Sequence, residues 1–161
     1  MRMSQGVEWA VHTLLNLAWL GTNDAVPTAA LAASHDLSAT YLNKQLQLLV
    51  KAELLSSAPG KRGGFRLTRP PESITMLDVV DAIEGRESLF RCAEIRQCGT
   101  LGSQSSAIDF TTSCAVKSSM ARAEVAWREA LASQTLADVK SAAEAHAPTL
   151  GSTVQRVLGR D

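Results

Sequence analysis

The chain has 161 residues, of which 45% are hydrophobic and only 4% aromatic, with 16 basic and 16 acidic side chains. That length and apolar content fit one compact domain, or a domain with an appendage, and exclude a disordered tail protein and a collagen-like fibre. The zero net charge conceals an asymmetry: residues 1–70 carry +3, residues 71–161 carry −3, and residues 38–70 hold six cations against Glu53 alone.

Val7, Val11, Leu14, Leu15 and Ala18 recur at helical intervals and predict a first helix over Gln5–Leu20, stopped by Gly21 and Asn23. Within it, residues 11–20 are interrupted by His12, Thr13 and Asn16. The stretch is too short and too polar for a membrane span or a signal segment, so a cytoplasmic protein without membrane contact is expected. Pro27 and Thr28 open a short Ala-rich helix through Ser34. His35, Asp36 and Leu37 form a turn, and Ser38 caps a longer helix whose apolar face is Tyr41, Leu42, Leu46, Leu49 and Val50. Two helices on a tight turn make a helix-turn-helix. Residues 54–58 and 65–68 then read as short strands around a basic, glycine-rich tip, which is a wing. A helix over residues 73–83 ends at Gly85.

Residues 87–113 show no sustained period, and a loop of that length normally has a function. Beyond Cys114, the residues Val116, Met120, Ala123, Trp127 and Leu131 step by four and three along a long helix, a seam that a second subunit would cover. Leu136–His146 predicts one more short helix and residues 148–161 a mobile tail. The expected fold class is mainly α with a small β-wing. Its parts are a winged helix-turn-helix domain (1–85), a cysteine-bearing loop (86–114), a dimerisation helix with a short C-terminal helix (115–147), and a tail (148–161).

The second helix of a helix-turn-helix lies in the major groove, and a basic wing reaches the neighbouring minor groove. Ser38, Thr40, Tyr41, Asn43, Lys44 and Gln45 stand where such contacts form. Asn and Gln pair with adenine edges, while Lys, Tyr and Ser hold phosphates or guanine, so double-stranded DNA is the expected partner. Lys61, Arg62 and Arg66 supply the wing's charge, and Arg62, beside glycines, is the candidate minor-groove probe.

Cys92, Cys98 and Cys114 form a C-x5-C-x15-C pattern that matches neither zinc-ribbon pairs nor a thioredoxin C-x-x-C. Buried thiols, reactive thiols and metal ligands all remain open for it. Glu8 and His12, four residues apart, offer a carboxylate and an imidazole on one helix face, either as a plain surface pair or as donors to one point. Soft thiolates with imidazole suit zinc or an iron–sulfur centre. No strand-turn-helix nucleophile elbow is present, so an enzyme is not expected.

Three segments carry a resemblance: L-S-A-T-Y-L-N-K-Q-L at residues 37–46, G-K-R-G-G-F-R-L-T-R at 60–69, and I-T-M-L-D-V-V-D-A-I-E-G at 74–85, followed by the cysteine loop and the long helix. Together they are similar to the Rrf2 family of winged-helix bacterial transcription regulators, over about residues 1–135. G-V-E-W-A-V-H at 6–12, C-A-E-I-R-Q at 92–97 and A-E-V-A-W-R at 123–128 resemble its redox-regulating members. The resemblance implies a dimer with crossing long helices and an iron–sulfur cluster between subunits. Its implied ligands are Glu8 and His12 of one subunit facing Cys92 and Cys114 of the other, with Cys98 the alternative thiol. Such asymmetric N and O ligation favours a 2Fe–2S over a 4Fe–4S cluster. The x15 gap is wider than the family's usual spacing and implies an expanded loop. The chain then reads as a sensor of redox state, nitric oxide or iron status, with Trp9, between two ligands, either the transmitter of cluster state to the DNA-reading head or plain core packing. The alternative is a metal-free or zinc-bound winged-helix regulator that answers a small ligand or thiol oxidation, with Cys92 and Cys98 as the reactive pair.

Overall fold

A computed structural model describes residues 3–21, 25–60, 63–105 and 110–159. The chain divides into two compact units, residues 86–130 and the remainder.

In the larger unit α1 (Gln5–Leu20) is the central element, with Ala10, Leu14, Leu15, Leu17 and Trp19 buried along it. It packs against α3 (Ala39–Lys51), α4 (Met76–Glu84), α7 (Leu136–His146) and α8 (Leu150–Leu158). α1 ends where Gly21 takes the left-handed conformation at φ 59° and donates its N–H to Leu17 O, a left-handed cap that glycine enters without Cβ strain. α2 (Thr28–Ala33) and α3 form the helix-turn-helix. Leu31, Leu42, Leu46 and Leu49 are fully buried beneath them. Ser38 caps α3 by accepting the Tyr41 N–H at 3.4 Å.

The wing is an antiparallel pair, β1 (Leu55–Ala58) with β2 (Gly64–Leu67), in register Leu55 with Leu67 and Ala58 with Gly64. Val26 and Phe65 exchange two backbone hydrogen bonds of 2.9 Å, so the wing's base is bound to the lead-in of α2. α4 starts later than residue 73. Pro71–Ser73 forms a single 3-10 turn, and the true N-cap is Thr75, whose hydroxyl accepts from Asp78 N while the Asp78 carboxylate accepts from Thr75 N.

The C-terminal segment is not the tail that its composition predicts. Residues 150–158 form α8, with Val154 and Leu158 buried. Trp19 Nε1 donates to Glu144 Oε1 at 2.8 Å, Gln155 Nε2 donates to Trp19 O at 3.1 Å, and Gly151 lies so close to Trp19 that a Cβ would sit 3.0 Å from its Cδ1. Anchorage of one indole by both helices gives the segment the burial that orders it.

In the smaller unit, the predicted irregular loop contains a 3-10 turn (Ile95–Gln97) and α5 (Gly99–Gln104) and leads into α6 (Ala115–Ala132). α6 buries none of its residues; Val116, Met120 and Val125 are exposed, and Trp127 is half-buried. The Glu124 carboxylate accepts from Ser88 Oγ at 2.8 Å and Leu89 N at 3.2 Å, tying the start of the unit to the middle of α6.

Candidate nucleic-acid interface and thiol site

The apolar stripe Leu42, Leu46 and Leu49 turns the opposite face of α3 outward, and Ser38, Thr40, Tyr41, Asn43 and Lys44 are exposed on it. Gln45 corrects the sequence reading: it is 9% exposed, three residues after Leu42 and four before Leu49, and so shares the buried stripe. It lies under Gly6 of α1, where a Cβ would come within 2.8 Å of Gln45 Oε1. Arg66 is exposed on β2 and its Nε donates to Ser56 Oγ across the hairpin at 3.1 Å. Lys61 and Arg62 lie outside the described residues.

α1 carries Glu8 and His12 exposed and Trp9 half-buried between them. The Trp9 ring meets Tyr41 edge-on, with centroids 4.9 Å apart and planes at 80°, so the residue between the two predicted ligands touches the DNA-facing helix. The His12 ring lies 5.5 Å from that of His35 in the turn after α2. Burial, and then His12, push His35 below the ordinary imidazole range. Its Nε2 lies 2.9 Å from Asn16 Nδ2, and the same amide donates to Ser34 Oγ at 3.3 Å.

Cys92 and Cys114 line one pocket of about 470 Å³ with Phe90, Ile95, Arg96 and Val116. Cys114 is buried and immediately precedes α6. The N–H groups of Lys117 and then Val116 hold its thiol below the ordinary range, against an opposing contribution from burial. Cys92 is half-buried, and Glu94 N donates to its sulfur at 3.4 Å. Cys98 is exposed at the N-cap of α5 and does not line that pocket. Among the described residues no three His, Cys, Asp or Glu side chains come together as a metal site. Each chain therefore brings together a thiol pair in the smaller unit and a carboxylate–imidazole pair on α1 in the larger one.

Sequence reasoning passed over Glu94 and Arg96. Arg96 Nε and Nη2 donate to the two Glu94 carboxylate oxygens at 2.5 and 3.0 Å, and Nη2 also donates to Thr112 O at 3.2 Å. The hydrogen bonds from Arg96 hold Glu94 below the ordinary carboxylate range. An acid and a base two residues apart beside a cysteine were the available signal.

Residues 3–142 match the family model described as Rrf2, iron-dependent transcriptional regulator. The chain belongs to the Rrf2 family. Among its Rrf2 relatives, a protein of Bacillus subtilis named as an HTH-type transcriptional regulator, YwgB, is 33% identical over 139 residues, covering 86% of this chain and 84% of that one. Another of that description, YffB of Lactococcus lactis, is 37% identical over 139 residues, covering 86% of each chain. Solved structures with the same Rrf2 fold include CymR, the global cysteine regulator of B. subtilis, at a TM-score of 0.68 and 24% identity, covering 88% of this chain and 97% of that one. T. potens IscR matches at a TM-score of 0.67 and 24% identity over 91% of each chain. Rrf2 membership makes the chain a DNA-binding transcription regulator of winged-helix fold and not an enzyme. No described helix is long and apolar enough to cross a membrane. The Rrf2 match stops at residue 142, so α8 lies beyond it.

Proposed function

We propose that the chain works in the cytoplasm as a homodimer that binds a double-stranded DNA operator and senses redox state, nitric oxide or iron status through an iron–sulfur cluster shared by two subunits. Glu8 and His12 of one subunit would face Cys92 and Cys114 of the other. The observation that carries this reading is that Cys92 and Cys114 line one pocket, with the Cys114 thiol held below its ordinary range by the first N–H groups of α6. Thiolates and imidazole are donors that iron–sulfur centres accept, and the mixed set favours 2Fe–2S over 4Fe–4S. When bound, such a cluster supplies a reversible redox couple.

The remaining work falls to the chain's own side chains. The exposed apolar residues Val116, Met120 and Val125 of α6 suit burial against a second copy. Trp9 is the transmitter: a change in its rotamer alters its edge-on contact with Tyr41, and so alters α3 where Thr40, Asn43 and Lys44 face DNA. The basic wing, with Lys61, Arg62 and Arg66, reaches the adjacent minor groove.

The test is the visible absorption spectrum, with iron, sulfide and zinc content, of protein purified without air. It is repeated on Glu8→Ala, His12→Ala, Cys92→Ala, Cys98→Ala and Cys114→Ala. Charge-transfer bands should be present in the wild type and in Cys98→Ala and lost in the other four. A colourless wild type without iron or sulfide refutes the cluster. Trp9→Ala should keep the bands yet lose the redox-dependent change in DNA affinity.

One observation favours a second reading. Cys98 is exposed, as a thiol that meets an oxidant must be, and an oxidised form of Staphylococcus aureus CymR shares the fold at a TM-score of 0.62. A colourless protein whose DNA affinity changes with peroxide, and no longer does so in Cys98→Ala or Cys92→Ala, would establish thiol oxidation as the signal.

A further inference from the structure

Cys92 and Cys114 are separated by a segment that includes a 3-10 turn and α5, yet both residues line one pocket. Holding two points of a long loop together costs chain entropy that grows with the length between them, so something must close this loop. A chain of hydrogen bonds does so. Glu94 N donates to Cys92 Sγ at 3.4 Å, and the Glu94 carboxylate takes both Arg96 nitrogens at 2.5 and 3.0 Å. Arg96 Nη2 then donates to Thr112 O at 3.2 Å, two residues before Cys114, and the guanidinium lies 5.7 Å from the centre of the Phe110 ring. Glu94 holds φ at 50°, a conformation that side chains with a Cβ adopt only where surrounding contacts enforce it.

We propose that Arg96 is the positioning residue of the thiol pocket. Its planar fork ties the Cys92 arm of the loop to the Cys114 arm, preforming the two-thiol half-site within one chain, and keeps a positive charge beside both sulfurs. Two bonds to the two oxygens of one carboxylate with a third to a carbonyl on the other arm use the planar fork of the guanidinium, a geometry that the three donors on a lysine's single nitrogen do not reproduce. The charge matters through the cluster reading and rests on it, whereas the tying of the two arms stands on this chain alone. Arg96 is also electrostatically coupled to both cysteines.

The experiment uses full-length protein carrying Cys98→Ser, so that Cys92 and Cys114 are the remaining thiols. In the metal-free protein, a bifunctional thiol reagent that fluoresces only when both of its arms have reacted reports whether the two sulfurs are held together. Arg96→Gln should cross-link about tenfold more slowly than its parent, with an unchanged melting temperature, and Arg96→Lys should not restore the rate. An equal rate in Arg96→Gln overturns the proposal, and so does full restoration by lysine. In protein loaded with iron and sulfide, Arg96→Gln leaves the Glu94 carboxylate without its cation beside the site. Its midpoint potential should therefore fall, and an unchanged potential likewise overturns the proposal. If the parent takes up neither iron nor sulfide, the cluster reading fails, and the cross-linking rates still decide for or against Arg96.

Discussion

Gly64 opens the second strand of the wing at φ 147°, a backbone conformation that residues with a Cβ rarely adopt. A Cβ placed there would stand 2.1 Å from Val26 O and 2.6 Å from Pro27 N, so Gly64→Ala must push the wing away from the lead-in of α2. The displacement breaks the two 2.9 Å hydrogen bonds between Val26 and Phe65, at about 1 kcal/mol each. Residual backbone strain adds about 1–3 kcal/mol. The sum, about 3–5 kcal/mol, is a large share of the roughly 5–15 kcal/mol that holds a domain of this kind together. Gly21→Ala is the control. It also has positive φ, at 59°, but nothing lies within 4 Å of its added Cβ, so only the left-handed penalty of about 1–2 kcal/mol applies. In urea denaturation at constant slope, the midpoint of Gly64→Ala should fall by roughly 1 M or more, and by about 1.5 times the drop of Gly21→Ala or more. DNA affinity at full folding should fall only in Gly64→Ala, because Arg66 moves with the strand. Equal midpoints for the two variants would refute the reasoning, since they would mean that the wing base yields without cost.

Two further outcomes are expected. Lys44→Ala, on the exposed face of α3, should weaken binding about equally to specific and unrelated duplexes, and should reduce the slope of log affinity against log salt by about one; an unchanged slope would remove Lys44 from the phosphate contacts. Glu144 is held below its ordinary value of 4.5, first by Lys140, at 2.7 Å, and then by the Trp19 N–H. A depressed carboxylate contributes stability above its unfolded pKa and loses it as the pH falls through its lower folded value. The melting temperature of the wild type should therefore fall more steeply below about pH 4.5 than that of Glu144→Gln, and parallel curves would contradict the coupling.

Much of the fold was legible from local pattern. Gln5–Leu20 and Leu136–His146 are helices with the limits that apolar spacing predicts, and Ser38 caps α3 as its position before an apolar stripe implies. The wing strands fall within a residue of their expected ends. These features depend on residues within a turn or two of one another, and periodicity, caps and turn formers record such relations directly. Gln45 shows where residue type misleads: its amide suits a base edge, but its spacing from Leu42 and Leu49 already placed it on the buried stripe. For the candidate site, spacing put Glu8 and His12 on one face of α1, whereas the C-x5-C-x15-C pattern left all three thiols equivalent.

What only tertiary structure decided are the relations between distant segments. α8 is a packed helix because Trp19, more than a hundred residues away, bonds to Glu144 and Gln155, and nothing in the composition of residues 148–161 records that anchor. Cys92 and Cys114 share a pocket that Cys98 does not line, although Cys98 is much nearer to Cys92 in the chain. Trp9 touches Tyr41, and Arg96 bonds to Thr112, across intervals that no period connects. By itself, the sequence determined which residues share a face of each helix. Which neighbour meets that face depends on how the chain closes its loops, and that is settled by the summed burial and hydrogen bonding of the whole packed unit.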